Sequence, residues 1–439
     1  MSLHREPERL LQKLIQFDTT NPPGNERACI EFIRDLLLEV GIESEVYAKT
    51  PERPNLVARI KGRGEAPPLM LYGHVDVVTT GGQIWKLPPF EGQLEDGFIW
   101  GRGALDMKSG VAMQVAAFMR LKEDGVVPAG DVVLMSLSDE EVSAGYGAKY
   151  MVENHPEVFE GVRYALGEFG GFNLTLGGKR FYPIQVAEKQ LCTLELIIRG
   201  PGGHGSSIVE NSASSKLAVV LDRLNNRRTP VHIPDPTRTM IEGIAAESGL
   251  FLRMGMEALL IPILTDWLLK KLGRIGMTFM LMFHNTTSPT IIRGGDKSNV
   301  VPSEIKVTVD GRMLPGMKPE LFVAEVRNLI GFGEEDVEIN VVRYEPGPDK
   351  SDLGLFEQLS EALKTSDPDG VPVPYLLTAV TDARHLAELG IQSYGFTPMK
   401  LPEGFAFFDL AHNADERIPV EAVGFGTETI YEVLKNYRG

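Results

Sequence analysis

The stretch LMLYGHVDVV, residues 69–78, is apolar apart from His74 and Asp76. Residues 69–73 read as a buried strand, which constrains the fold to one that covers such a strand with other layers. Side chains at i and i+2 of an extended segment point to one side, so the two polar residues can act together. A polar turn at a strand end accounts for the pair. So does a metal-bound histidine with the carboxylate that orients it, since such histidines donate their second ring nitrogen to a carboxylate, carbonyl or water. The rest of the chain decides between the two.

Helices are predicted over 6–16 and 26–40, separated by the turn NPPGN, and strands over 43–48 and 55–60. A helix at 108–123, a strand at 131–137, a helix at 145–153 and a strand near 163–166 follow. Strands alternating with helices indicate an α/β layer with a mostly parallel sheet. The pattern then changes. Strand 191–200, helix 211–226, strand 304–313, helix 318–330 and strand 336–344 suggest an α+β unit with one open sheet and helices on one face. After EPGPDKSD the chain returns to helices at 353–365, 382–389 and 420–436 and a strand at 391–396. The predicted organisation is therefore a catalytic domain of residues 1–187 and 346–439, interrupted by a domain of residues 188–345.

The chain has 439 residues, enough for two cores. A formal net charge of −16 opposes a nucleic-acid or anionic-membrane surface. Cys29 and Cys192 are too few for a disulfide framework or a thiolate metal site. The start, MSLHREPERLLQKLIQ, has no uninterrupted apolar core, so no secretory signal is expected and the location predicted is cytoplasmic. Residues 250–283 are the most apolar region, but Arg253, Glu257, Asp266, Lys270 and Lys271 break it too often for a spanning helix. Core helices or a subunit interface are expected there.

In a parallel sheet, ligands bind beyond the carboxyl ends of the strands. His74 follows 69–73, Glu140 and Glu141 follow 131–137 in SLSDEEVSAG, and Glu168 follows 163–166 in YALGEFGG. Asp106 lies in the glycine-rich loop WGRGALDMKSG and His412 in DLAHNADE. Singly these are ordinary: an acidic turn, a loop histidine, a neighbour of a helix start. GRGALD lacks the strand and the last glycine of a dinucleotide fingerprint. Together, five ligand-type residues at strand ends or in nearby loops point to a metal centre.

At this point the chain resembles the co-catalytic zinc hydrolases that include aminoacylase, glutamate carboxypeptidase and succinyl-diaminopimelate desuccinylase. GHVDVV, GRGALDMKSG, SDEEVSAGYGA, GPGGHGSS, SNVVPSE, DGRMLPG, TDAR and AHNADE stand in that family's order over most of the chain. The resemblance implies two zinc ions bridged by Asp106, one completed by His74 and Glu168, the other by Glu141 and His412. It assigns Asp76 to the support of His74, Glu140 to general-base catalysis, and His204 of GGHGS to oxyanion stabilisation. Asn299, Arg312 and Thr381 match positions at the substrate, Arg312 as a fork for a free carboxylate. It further implies a ferredoxin-like lid and dimerisation domain at 188–345, and a homodimer.

The roles have independent physical sense. Histidine and carboxylate suit zinc, and also manganese or cobalt. Two zincs ~3.5–4 Å apart repel, so a bridging carboxylate is the natural filling. A base must not itself be a ligand, and adjacent Glu140 and Glu141 can diverge from one turn. Two features depart from the family: Ala379-Val380 stand where two glycines usually precede the threonine of TD, and the segment 240–283 lengthens the inserted domain. The expected activity is amide hydrolysis of an N-acyl amino acid or short peptide with a free carboxylate. The alternatives are a di-zinc aminopeptidase, disfavoured by the inserted domain, and a non-catalytic metal-binding relative. No nucleic acid or membrane partner is expected.

Overall fold

The structure, a computed structural model, describes residues 3–348 and 350–439. Met1, Ser2 and Asp349 of the expected catalytic domain lie outside the described residues. The chain divides into two compact units. The first comprises Met1–Val186, Ser351–Tyr375 and Thr381–Gly439, and the second Ala187–Lys350 and Leu376–Val380.

The first unit is built on a twisted α/β sheet. Its order runs Ser44–Ala48, Pro54–Ile60, Val132–Leu137, Leu69–His74, Tyr164–Gly167, Gln392–Gly395, Lys179–Glu188, Val371–Leu377, with Leu174–Leu176 beside Lys179–Glu188. The four strands Val132–Leu137, Leu69–His74, Tyr164–Gly167 and Gln392–Gly395 pair in parallel, and the flanking pairings of Pro54–Ile60 and Lys179–Glu188 are antiparallel. Leu69–His74 is buried along its whole length. Leu69 and Leu71 belong to the core on one face, Met70 and Tyr72 to the core on the other. Burial on both faces is why the segment shows no alternation of polar and apolar residues.

Helix Lys108–Glu123 runs through the first of these cores with all residues from Lys108 to Met119 buried. Its alanines and glycine allow close approach of neighbours, among them helix Val420–Lys435. The helix predicted from residue 145 begins at Ala148 instead. Residues 138–147 form a tight loop in which a Cβ on Gly147 would lie 1.7 Å from the Ser138 carbonyl oxygen. Strands Lys179–Glu188 and Val371–Leu377 were not anticipated. Pro183, Pro372 and Pro374 obscure them, because proline removes a ladder donor and demotes a segment as a sheet strand.

The second unit holds a four-stranded antiparallel sheet ordered Thr286–Arg293, Glu304–Met313, Gln190–Arg199, Val337–Glu345. In chain order it is strand–helix–strand–strand–helix–strand, with helices Ala213–Asn226 and Pro319–Ile330. Val220, Leu224, Phe322, Val326 and Ile330 of these helices pack on Leu194, Leu196, Ile198, Val307 and Val309 of the sheet. The apolar segment forms helices Asp235–Ala246, Leu250–Ala258, Pro262–Lys271 and Gly273–Met280. It is only partly buried: Phe251 is 90% exposed, Ile263 87% and Trp267 60%. Among the described residues no helix is long and apolar enough to cross a membrane.

Candidate metal centre

Three neighbouring parallel strands deliver side chains at their carboxyl ends. His74 is the last residue of Leu69–His74, Glu168 follows Tyr164–Gly167, and the loop bearing Asp139, Glu140 and Glu141 follows Val132–Leu137. Asp106 stands just before helix Lys108–Glu123, where the positive end of the helix dipole favours a carboxylate. His412 lies in the loop after helix Phe407–Leu410. Asp139, Phe169 and His412 have φ of 68°, 58° and 64°. Such values are uncommon for non-glycine residues and collect at functional sites, where the surroundings hold the backbone in place.

Two groups of three potential ligands result among the described residues. His74, Asp106 and Glu168 form one, and Asp106, Glu141 and His412 the other, with ligand atoms in each group within 4.8 Å of one another. Asp106 belongs to both. Its Oδ1 lies 3.2 Å from His74 Nε2 and its Oδ2 lies 3.0 Å from His412 Nε2. Glu168 Oε2 is 3.3 Å from His74 Nε2, and Glu141 Oε2 is 3.3 Å from His412 Nε2.

Asp76 is fully buried. Its backbone carbonyl is 3.0 Å from His74 Nδ1, closer than its carboxylate at 3.5 Å. The carboxylate also accepts the N–H groups of Glu140 and Glu141 and the Asn21 side-chain amide. Asn21 also donates to Asp139, and Arg53 pairs with both Asp139 and Glu26.

The electrostatics are those of crowded carboxylates in a site buried at His74, Asp106 and Glu168 and opening to solvent at His412. Burial, then the nearby carboxylate of Glu168, raises Glu140 well above the ordinary value. Burial likewise raises Glu141, with Asp106 adding to it, and pushes Glu168 up. Bonds to Asp106 and Glu141 raise His412 to about 10. For His74, burial opposes the proton, but Glu168 and the bonds to Asp106, Asp76 and Glu168 outweigh it, and the group is raised. Asp382, a residue the sequence reading passed over within TDAR, is buried with no partner for its Oδ1 and is raised to about 7 by burial. Glu141 Oε1 is also buried without a partner.

This donor set fits divalent metal. It supplies imidazole nitrogens and carboxylate oxygens without thiolate, the set suited to zinc, manganese or cobalt. Buried carboxylates outnumber the imidazoles, and an orphaned acceptor on Glu141 faces inward, which a cation satisfies.

Thr381 is also in the first unit and is buried, its hydroxyl accepting the Ala383 N–H. His204, Asn299 and Arg312 lie in the second unit. The ribbon pairing Gly203–His204 with Val300–Val301 brings the first two together, and the Asn299 carbonyl accepts the Gly205 N–H at 2.8 Å. His204 is exposed, with Nδ1 2.7 Å from Ser206 Oγ. The Arg312 fork holds Asp310 through two bonds of 2.7 and 2.9 Å, made by Nε and Nη2.

Sequence reasoning also missed Asn21, Arg102 and Glu416. Asn21 was read only as part of a turn, and Arg102 and Glu416 stood inside quoted motifs without a role. Arg102 and Glu416 are paired at 2.6 Å with both side chains buried.

The family described as peptidase family M20/M25/M40 matches residues 70–436. A probable carboxypeptidase S-like 2 from Dictyostelium discoideum is 29% identical over 399 residues, covering 87% of this chain and 74% of the relative. The N-fatty-acyl-amino acid synthase/hydrolase PM20D1 of Xenopus tropicalis is 28% identical over 378 residues, covering 84% and 72%. Among solved structures, the M20 family metallo-carboxypeptidase Sso-CP2 from Sulfolobus solfataricus superposes with a TM-score of 0.69 at 17% identity, covering 99% of both chains. The YXEP protein of Bacillus subtilis, titled a dinuclear metal binding peptidase from the M20 family, gives 0.59 at 15% identity, covering 99% of this chain and 98% of that one.

Proposed function

Since the chain belongs to peptidase family M20/M25/M40, whose members are metal-dependent hydrolases, we propose that it cleaves the amide bond of an N-acyl amino acid or short peptide with a free carboxylate. Two zinc ions per chain are the metals proposed, with manganese or cobalt as substitutes for the same donors. The observation that carries the reading is Asp106, whose two oxygens face the imidazoles of two separate ligand groups. His74 and Glu168 would hold one ion, Glu141 and His412 the other. When bound, such a pair supplies a Lewis acid for the scissile carbonyl and acidifies water at neutral pH.

The remaining chemistry falls to side chains. Glu140 takes a proton from the attacking water and returns it to the leaving nitrogen, so that the amine departs and a carboxylate remains. Asp76 keeps Glu140 out of ligation by fixing its main chain. His204 stabilises the oxyanion, Arg312 takes the substrate carboxylate, and Asn299 and Thr381 contact the substrate. The relatives' names support both halves of the substrate class, an acyl group on nitrogen and a free carboxyl end.

The test is a panel of N-acyl amino acids of increasing acyl length, dipeptides and C-terminally blocked peptides, assayed with zinc, manganese and cobalt. Turnover of N-acyl or dipeptide substrates that collapses on blocking the carboxylate is expected. Turnover only of free-amine, C-blocked substrates would overturn the proposal in favour of an aminopeptidase.

A further inference from the structure

Asp106 and His412 come from segments about 300 positions apart, yet their side chains meet at 3.0 Å. Neither is held by regular secondary structure: one precedes a helix, the other has a left-handed backbone in a loop. Something must fix the two loops to each other.

The buried pair Arg102–Glu416 meets that need. Glu416 Oε1 accepts the N–H groups of Leu105 at 2.7 Å and Asp106 at 3.0 Å. Its Oε2 accepts the Gly103 N–H at 3.1 Å and Arg102 Nη1 at 2.6 Å. One carboxylate therefore gathers the loop that presents Asp106. Arg102 reaches the other way: Nη2 donates to the His412 carbonyl at 3.2 Å and Nη1 to the Asn413 carbonyl at 3.3 Å. Gln83 completes the arrangement, donating to the His412 carbonyl at 2.9 Å and accepting from Arg102 Nη2 at 2.8 Å.

We infer that Arg102 and Glu416 are positioning residues that clamp the Asp106 and His412 loops together and so set the affinity of the metal position shared by Asp106, Glu141 and His412. The inference rests on the proposed metal centre. Glu416 holds Asp106, common to both ligand groups, through its main chain, while Arg102 and Gln83 add a direct hold on the His412 loop alone. No contact from Arg102 reaches His74 or Glu168 among its described bonds. The clamp therefore bears more heavily on the position completed by His412 than on the one completed by His74 and Glu168, a difference that a purely structural ion pair does not produce.

The charges are buried, so removing one partner leaves the other uncompensated. The test variant is accordingly the neutral double substitution Arg102→Met/Glu416→Gln. Metal-free wild type and variant are titrated with cobalt(II), followed by its visible absorption and by chelator competition, with bound metal counted by elemental analysis. Wild type should take two ions. The double variant should bind the ion at the His412 position about 10- to 100-fold more weakly, the range seen when supporting partners of ligands are removed, and the other ion with a clearly smaller loss. Adding Glu141→Gln to it should then change little, because that position is already weak. If the double variant fails to fold by circular dichroism, Gln83→Leu decides by the same criterion. Two unchanged affinities, or equal weakening of both, would overturn the clamp. A wild type that takes up no cobalt would instead sink the proposed metal centre itself.

Discussion

Asp76 accepts the main-chain N–H of Glu140 at 3.1 Å through one carboxylate oxygen, while its other oxygen accepts that of Glu141 at 3.2 Å. The same residue's carbonyl faces His74 Nδ1. Asp76 thus contacts an imidazole with its backbone and fixes the Glu140–Glu141 turn with its side chain. Asp76→Ala should lower kcat/KM by about 100-fold and weaken metal binding by about 10- to 100-fold. Asp76→Asn should fare little better, since its amide turns a donor towards donors. Steady-state kinetics and metal titration check both. An Asn variant indistinguishable from wild type would remove this role.

Glu140 and Glu141 are adjacent but are assigned different work. Glu140→Gln should retain metal and lose turnover by roughly 10²-fold or more, the scale of acid–base catalysis. Glu141→Gln should lose metal affinity first, with activity partly recovered at high metal concentration. The reverse pair of phenotypes would show that base and ligand are misassigned by one residue.

Asp106 is the one side chain common to both ligand groups. Asp106→Ala should therefore weaken both metal positions, whereas His412→Ala should weaken one. Elemental analysis after dialysis reads the difference directly. Two tightly held ions in Asp106→Ala would remove the bridge.

His74, Glu141 and Glu168 are legible as candidate ligands because each follows a strand signal, whereas Asp106 and His412 lie in loops and are picked out only by the motifs around them; the buried run ending at His74 is readable from composition alone. The sequence disclosed less of what holds them. Asp76 was expected to support His74 through its carboxylate, and nothing in GHVDVV indicates that this group reaches the Glu140–Glu141 turn. Arg102 and Glu416 are 314 positions apart, and their pairing has no local periodicity to announce it. Strand Val371–Leu377 was hidden because VPVPYLL carries two prolines, which local propensity counts against a sheet and the fold accommodates.

The first unit also carries a pH-sensitive contact away from the metal centre. Arg180 holds Asp367 with two bonds of 2.7 Å, Tyr182 adds one of 2.8 Å, and the carboxyl is held down at about 2. Its folded pKa lies below the unfolded value of ~3.9, so its stabilisation is complete above that pH and lost as pH falls towards 2. The contribution at neutral pH is about 2 kcal/mol, given that Arg180 is partly exposed. In urea unfolding of metal-free protein, Asp367→Asn should be less stable than wild type at pH 7, with about half the gap gone at pH 3. A gap that stays constant with pH would show that the contact is not linked to this ionisation.

His204 belongs to the second unit and the metal ligands to the first. If His204 stabilises the oxyanion, it reaches the metals either within its own chain or from a partner. The exposed Phe251, Ile263 and Trp267 offer apolar surface whose burial between two chains is favourable at about 25 cal/mol per Å², before association costs. The expectation is a C2 homodimer in which His204 of one chain serves the metal site of the other. Inactive His204→Ala chains mixed with inactive Glu140→Ala chains should then regain activity, because one site in the mixed dimer receives both intact residues. Active-site titration should find at most one working site per mixed dimer. Verified chain exchange without recovery would count against delivery from the partner, and a fully active monomer in sedimentation would exclude it.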